Sequence, residues 1–218
     1  MTLFPRLRAA LPATTAFSLA MTAAAASATP VHTHLEFSVL KDGSPVGRHQ
    51  VDMSRDGGDE EVAIKTNVVV KIAMVPVYRF EHQGRELWRN GQLVGLHSET
   101  DDDGTKHSLD AGASAGSVQI VGDGARSQAD AGIIPASLWN HDLVKQNVLL
   151  NTLTGKLMKV QVTDLGTEDI QSQGKNIQAH HYRMSGELER ELWYDPGNTL
   201  VQVRFKANDS STILYVLL

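Results

Sequence analysis

Histidines are the first side chains to consider for chemistry, because the chain has nine of them and no cysteine. His32 and His34 alternate along one face of a strand, a spacing that can hold zinc if a neighbouring strand adds a third ligand such as His49 or His82. The pair stands close to where the ordered chain is expected to begin, and chain ends fray by default. We therefore predict no metal site, and we place the histidines on the surface or in hydrogen-bonded core positions.

The segment SLWNHD contains the residue types of a nucleophilic site. Ser137, His141 and Asp142 lie within six residues of one another. A Ser-His-Asp triad instead needs side chains from separate elements and an oxyanion hole, and no GxSxG turn is present to supply one. Helix capping and burial of the neighbouring Trp139 explain the segment better.

Glu86 and Glu191 could act as the paired carboxylates of a glycosidase, because they occupy matching places in two similar segments. Each glutamate follows an arginine, Arg85 in one segment and Arg190 in the other. Cross-strand ion pairs on a solvated face are the simpler interpretation. We predict no catalytic residues and favour a non-enzymatic role.

Composition excludes several other functions. The absence of cysteine removes thiol nucleophiles, redox motifs and cysteine-based metal sites. The chain has no P-loop and no glycine fingerprint, so we predict no cofactor. A formal net charge of -5 without a basic cluster predicts no nucleic-acid partner.

These side chains stand on a pattern typical of β-strands. In HTHLEFSVL the apolar Leu35, Phe37 and Val39 alternate with polar residues, and turn signals such as KDGSP and Asn90-Gly91 recur along the chain. Only IIPASLWNHDLVKQNVLLN breaks the alternation, which predicts one or two short helices there. The fold class is therefore mainly β: a single curved antiparallel meander sheet, or an open half-barrel, with one or two short helices.

The start of the chain has the layout of a secretory signal peptide. Arg6 and Arg8 precede an alanine-rich apolar run that ends in Ala26-Ser27-Ala28. We predict a signal peptide at 1-28 and a single antiparallel β domain at 29-218. No later stretch reaches 18 continuous apolar residues, so we expect no transmembrane segment in the mature chain. The protein is expected to be exported, to the periplasm rather than fully secreted.

One short segment occurs twice. Arg85-Glu86-Leu87-Trp88 returns as Arg190 to Trp193, and in both copies a turn and a Leu-Val strand follow. Three explanations remain open: duplication, two equivalent positions in one curved sheet, and a sequence pattern that is common in β-hairpins.

The order of several segments resembles a known family. HLEFSVLKDGSPVGRHQ, PASLWN, LLNTLTGKLMKVQV and the closing HYRMSGELERELWYDPGNTLVQVRFKANDSSTILYVL are together similar to DUF6134, an uncharacterised exported bacterial family. More distantly, the ELWYD hairpin is similar to one in DUF3108 and to the half-barrels of lipoprotein carriers. The resemblance implies a curved antiparallel sheet and carries no established activity.

Large apolar residues occur on both faces of the predicted strands, as in a β-protein that encloses a ligand. We expect a hydrophobic small molecule, lipid-like or otherwise, to bind against the following residues: Tyr78, Phe80, Trp88, Trp139 and Trp193. One alternative is a secreted hydrolase using His141, His180 and Glu191. Another is a cell-envelope assembly or partner-binding protein that uses an exposed sheet edge.

Overall fold

The computed structural model describes residues 29–218, and the predicted signal peptide at 1–28 lies outside the described residues. Within that range the chain forms fifteen strands and one turn of 3₁₀ helix, His141–Lys145. No helix in this part of the chain is long and apolar enough to cross a bilayer.

The strands of the first half are β1 (Val31–Lys41), β2 (Ser44–Asp56), β3 (Asp59–Ile72), β4 (Val75–Arg89), β5 (Gln92–Asp102), β6 (Thr105–Ser114), β7 (Ser117–Gly122) and β8 (Ala125–Asp130). Those of the second half are β9 (Ile134–Pro135), β10 (Val148–Leu150), β11 (Leu157–Ser172), β12 (Lys175–Gly186), β13 (Arg190–Tyr194), β14 (Leu200–Lys206) and β15 (Thr212–Leu217).

All fifteen strands belong to one sheet, in the order β8-β7-β6-β5-β4-β3-β2-β1-β15-β14-β13-β12-β11-β10-β9. Consecutive strands are neighbours in the sheet except β8 and β9, which lie at its two edges. The pairing of β1 with β15 joins the two halves in the middle. Every pair is antiparallel apart from the short β9 and β10 pair. The prediction of a curved antiparallel meander is therefore confirmed.

Turn chemistry explains most of the hairpins. Asn90 and Gly91 have φ values of 49° and 76°, and Asp42 and Gly43 have 46° and 81°, as type I′ turns require. Glycine reaches positive φ without steric cost, so these dipeptides set the strand connections predicted from them.

Alternation within the strands decides which face is buried. In β1 the side chains of Leu35, Phe37 and Val39 are buried, and the residues between them are more exposed. The face that carries Phe37 is called the inner face below, and the opposite face is the outer face. Register across the sheet assigns the side chains of the other strands to one face or the other.

The residues between β8 and β10 cover the inner face. The 3₁₀ turn begins after Asn140, whose side-chain oxygen accepts from the Asp142 amide at 3.0 Å. The Tyr194 hydroxyl of β13 donates to the Leu138 carbonyl at 2.7 Å. One short helical turn is therefore present where one or two were predicted, and it belongs to a covering segment, residues 133–145.

The loop between β10 and β11 covers the inner face farther along. Ser98 on β5 donates its hydroxyl to the Thr152 carbonyl at 2.5 Å. Gly155 has a φ of 72° and lies so close to β6 and β7 that a Cβ there would stand 2.9 Å from both Ile120 and Leu109. Only glycine satisfies both the conformation and the space.

The repeated segments face opposite ways. Glu86 and Trp88 point to the inner face, whereas Leu87 points outward and is 41% exposed. In β13 it is Leu192 that points inward, opposite Val203, and Trp193 that points outward. The two copies are thus not equivalent positions in the sheet.

We predict that Gly155→Ala destabilises the protein far more than Gly124→Ala. Gly124 has a φ of 80° but open space around it, so its variant should lose about 1 kcal/mol through backbone strain alone. Gly155→Ala adds a clash with the core and should lose roughly 2–4 kcal/mol. Urea unfolding measures both variants, and equal losses would contradict the tight packing of this loop.

Candidate functional site

The most unusual group on the inner face is a completely buried carboxyl, Glu86. The indole nitrogens of Trp88 and Trp139 both donate to its Oε2 atom, each at 2.9 Å. Ser137 Oγ lies beside the carboxyl, but neither it nor Glu86 Oε1 has a hydrogen bond of good geometry within the described residues. Burial raises the pKa of Glu86, and the nearby hydroxyl and indole groups oppose that rise only in part.

The two glutamates of the repeated segments therefore have different environments. The prediction of an ion pair on a solvated face is wrong for Glu86, because its strand turns that side chain to the core, and Arg85 pairs with Glu61 instead. The prediction holds for Glu191, which is paired with Arg183 at 3.4 Å and with Arg204. The two carboxyls lie on opposite faces and cannot form a catalytic pair.

A row of alternating histidine and threonine crosses the inner face. His49, Thr66, His82 and Thr100 stand directly opposite one another on β2 to β5. Each histidine Nδ1 lies 2.8 Å from a threonine Oγ1, His49 from Thr66 and His82 from Thr100. Burial lowers the pKa of both histidines to about 4, with His82 adding a smaller effect at His49. Both rings are neutral at pH 7, as hydrogen-bonded core histidines.

The histidines near the start of β1 do not join this row. His34 points to the outer face, where its Nδ1 lies 2.5 Å from Asp52 Oδ1. Among residues 29–218, no three His, Asp or Glu side chains gather in a way that would hold a metal ion.

One end of the inner face is lined by aromatic side chains that the core leaves half-buried. We define this aromatic end as Tyr78 and Phe80 of β4, Phe205 of β14 and Tyr215 of β15. The Phe205 and Tyr215 rings are 6.0 Å apart. The Tyr215 ring is 5.3 Å from His49, so the aromatic end borders the histidine and threonine row.

The curl of the sheet brings the two sides of this aromatic end towards each other. Burial raises the pKa of Tyr78. The 2.7 Å hydrogen bond that its hydroxyl donates to Asp102 raises the pKa further, and Tyr215 makes a smaller contribution in the same direction. Trp139 contacts Glu86 of β4 and Leu138 contacts Tyr194 of β13, although five strands separate β4 from β13 in the sheet. The sheet therefore curls, with its inner face on the concave side.

The β3–β4 hairpin projects beside the aromatic end. Its tip, residues 72–77, is apolar and exposed, with Met74 84% and Ile72 67% exposed. Ala73 and Met74 form the turn with φ values of 47° and 70°, a conformation that glycine or asparagine normally supplies. The protein thus holds an apolar tip in solvent through a turn of unusual composition.

The five aromatic residues predicted to line one ligand space occupy three places. Tyr78 and Phe80 belong to the aromatic end, and Trp88 and Trp139 meet edge-on at Glu86 with ring centroids 5.6 Å apart. Trp193 lies on the outer face, where it donates to Glu168 Oε1 at 2.5 Å and stacks on His181. The first four lie on the inner face or pack against it, in two separate places, and Trp193 lies on the other face.

Of the three residues of the hydrolase alternative, the two histidines lie on either side of Tyr182, but the carboxylate is not with them. His141 packs edge-on against Tyr194 and Tyr182, while His180 stacks on Tyr182. Glu191 belongs to the ion pairs of the outer face. The histidines and the carboxylate therefore share no cleft.

Two shallow surface clefts lie away from these groups. One, of about 260 Å³, includes His32, His34 and Asp52, and the other, of about 700 Å³, includes Glu81, Asp101 and Lys106. None of the five predicted aromatic residues lines either cleft. Both are open to solvent, and the surface that lines the first is mainly apolar.

Sequence reasoning missed Phe205, Tyr215 and the buried state of Glu86. The sequence contained a signal for the first two, because Phe205 is two residues from Val203, and Tyr215 two residues from Leu217, so each pair shares an apolar strand face. For Glu86 the signal was its placement two residues before Trp88, which puts both on one face.

Comparison with known proteins agrees with this architecture. Residues 37–218 match the family described as Domain of unknown function (DUF6134). The chain belongs to DUF6134. Its fold is similar to the solved structure of a beta-barrel-like protein of domain of unknown function DUF1849 from Brucella abortus, with a TM-score of 0.62 and 10% identity over 86% of this chain and 95% of that one. At that identity the likeness concerns the fold alone.

A comparison with curated proteins gives no match for this DUF6134 member. The similarities to DUF3108 and to lipoprotein carriers stay predictions.

We predict that Glu86 makes stability fall as pH rises. Its folded pKa lies above the ordinary value of 4.5, so the unfolded chain releases its proton first, and the folded state loses relative stability between pH 4.5 and the raised pKa. Glu86→Gln keeps an acceptor for the indoles and should remove this loss, whereas Glu86→Ala should cost roughly 2–4 kcal/mol at neutral pH. Urea unfolding from pH 4 to 8 measures both, with exposed Glu99→Gln as the control. Identical pH slopes for wild type and Glu86→Gln would refute the prediction.

The buried histidines should act in the opposite direction. Their folded pKa of about 4 lies below the ordinary 6.5, so acidification through this range protonates the unfolded chain first and destabilises the fold, by up to about 3 kcal/mol per histidine. His82→Asn should flatten the fall in stability between pH 6.5 and 4. The same measurement on His97→Asn, an exposed outer-face variant, tests whether burial is the cause. A slope unchanged by His82→Asn would count against it.

Proposed function

We propose that this protein binds an apolar or amphiphilic small molecule at the aromatic end of its inner face. The observation that carries the proposal is the half-buried state of Tyr78, Phe80, Phe205 and Tyr215 on a concave surface. Elsewhere on the inner face, residues such as Leu192 and Leu109 are completely buried by the protein itself. The aromatic end is where apolar surface remains for another molecule to cover.

The adjoining hairpin tip supports this function. Exposure of apolar side chains to water is unfavourable, and contact with another apolar surface removes that cost. The tip lies at the same end of β4 as Tyr78, so an apolar ligand would meet it on the way to the inner face. We place the function in the periplasm on the strength of the signal-peptide pattern.

Binding is favoured over catalysis because the candidate catalytic groups stand apart. A hydrolase needs its nucleophile, base and orienting group within hydrogen-bond reach of one another. His141 and His180 are instead engaged with tyrosine rings, and Glu191 with arginines on the other face.

Partner binding through a sheet edge has less support. The two edge strands are β8 and β9. Arg126 and Asp130 place charges on β8, and Pro135 occupies half of the two-residue β9. Charge, proline and short length are the features by which proteins protect edges from further pairing.

Native mass spectrometry of protein purified gently from a producing bacterium tests the proposal. We expect a discrete added mass that disappears on denaturation and extracts into organic solvent. A clean apo mass, together with no uptake of the apolar fluorophore N-phenyl-1-naphthylamine, would overturn the proposal.

Substitutions distinguish binding at the aromatic end from non-specific binding to exposed apolar surface. Phe80→Ala combined with Phe205→Ala should weaken binding of the fluorophore at least about tenfold, because two large apolar contacts are lost. Leu87→Ala removes an exposed apolar side chain from the outer face of the same strand and should leave binding unchanged. Equal effects of the two changes would place the ligand elsewhere.

A further inference from the structure

Arg190 presents an unmatched positive charge to the aromatic end. It is the first residue of β13 and points inward like Leu192, with its guanidinium carbon 3.8 Å from the centroid of the Phe205 ring. Its Nη1 donates to the Glu189 carbonyl at 2.7 Å. Burial lowers the pKa of Arg190, and Tyr215 is close enough to influence it. Arginine keeps its proton in proteins, so the group remains a cation.

Among residues 29–218, no carboxylate oxygen lies within 4.0 Å of the Arg190 guanidinium nitrogens. Its counterpart in the repeated segment, Arg85, pairs with Glu61 at 2.7 Å. Lys41, at the same end of the inner face, is paired with Asp209 at 2.6 Å. Arg190 differs from both because an aromatic ring, rather than a carboxylate, is its partner.

A guanidinium held over one ring retains donors that the ring cannot satisfy. Its planar fork of N–H groups matches a carboxylate or a phosphate, and such charge-assisted bonds strengthen when water is displaced. The cation–π contact compensates a partly desolvated cation only in part. An anionic group would complete the site.

We propose that Arg190 binds the anionic head, carboxylate or phosphate, of a single-chain amphiphile whose apolar tail lies along Phe205, Tyr215 and Phe80. This inference rests on the proposed function and adds the chemical class of the ligand. Tyr215 and Phe80 lie in one row across the sheet, joined through Val39, Gly47 and Val68, so no charged side chain interrupts the row between the two rings.

Matched ligands test the head group. Dodecanoate, dodecyl phosphate and dodecanol share one tail, and calorimetric titration of the full mature chain compares them. Wild-type protein should bind both anions at least about tenfold more tightly than the alcohol, the gain typical of a charged hydrogen-bonded pair. Arg190→Gln should abolish that preference while it still binds dodecanol, and Arg85→Gln, the exposed counterpart, should keep it.

The outcomes separate the two proposals. Equal wild-type affinity for the anions and the alcohol would overturn the role of Arg190 and leave the apolar site standing. No binding of any of the three would overturn the proposed function as well. If Arg190→Gln melts early, Arg190→Lys keeps the charge without the planar fork. A folded Arg190→Lys protein should retain part of the preference, and loss of all preference in it would overturn the role of Arg190.

Discussion

The carboxyl of Glu86 joins parts of the protein that the sheet alone would leave apart. It lies on β4 and accepts from Trp139 in the covering segment, while Tyr194 of β13 holds the same segment through Leu138. Five strands separate β4 from β13 in the sheet. The segment can contact both only if the sheet curls, so one buried acid and one phenol together hold the curvature on which the interior depends. A buried acid is costly unless its oxygens are hydrogen-bonded, and the two indole donors satisfy Oε2 but not Oε1.

That curvature divides the inner face into unlike halves. Where the covering segment and the β10–β11 loop lie, leucine, valine and tryptophan side chains fill the interior. Beyond the row of histidine and threonine, Phe80 and Phe205 remain half-buried, with the Arg190 guanidinium over the Phe205 ring. Neutral histidines with threonine partners suit a boundary between these halves, because they satisfy their own hydrogen bonds yet tolerate polar contact on one side. The unlike halves are the physical basis for placing a ligand at one end.

Much of the architecture followed from local rules, and the site did not. Alternation in residues such as Leu35 and Phe37, and turns such as Asn90-Gly91, depend on neighbours in the chain and were predictable. Which side chains of a strand point to the core depends on its register with the neighbouring strands. A register shift of one residue moves every side chain to the opposite face. That is why two copies of Arg-Glu-Leu-Trp turned opposite sides to the core, and why Glu86 was assigned to the surface. The Ala73-Met74 turn carried no signal, since neither residue type favours positive φ.

The position of β1 in the sheet bears on the order in which the protein can fold. Strands β1 to β8 form a meander of local contacts that can assemble as the chain lengthens, but the free side of β1 pairs with β15, which follows the other fourteen described strands in the chain. Until then the middle of the finished sheet is an unprotected edge, and contacts far apart in sequence form slowly because loop closure precedes any gain from them. The unpaired backbone groups of β1 therefore stay exposed until β15 is available to pair with them. Deletion of β15 would remove more than one strand, because the two halves of the sheet pair with each other only through it.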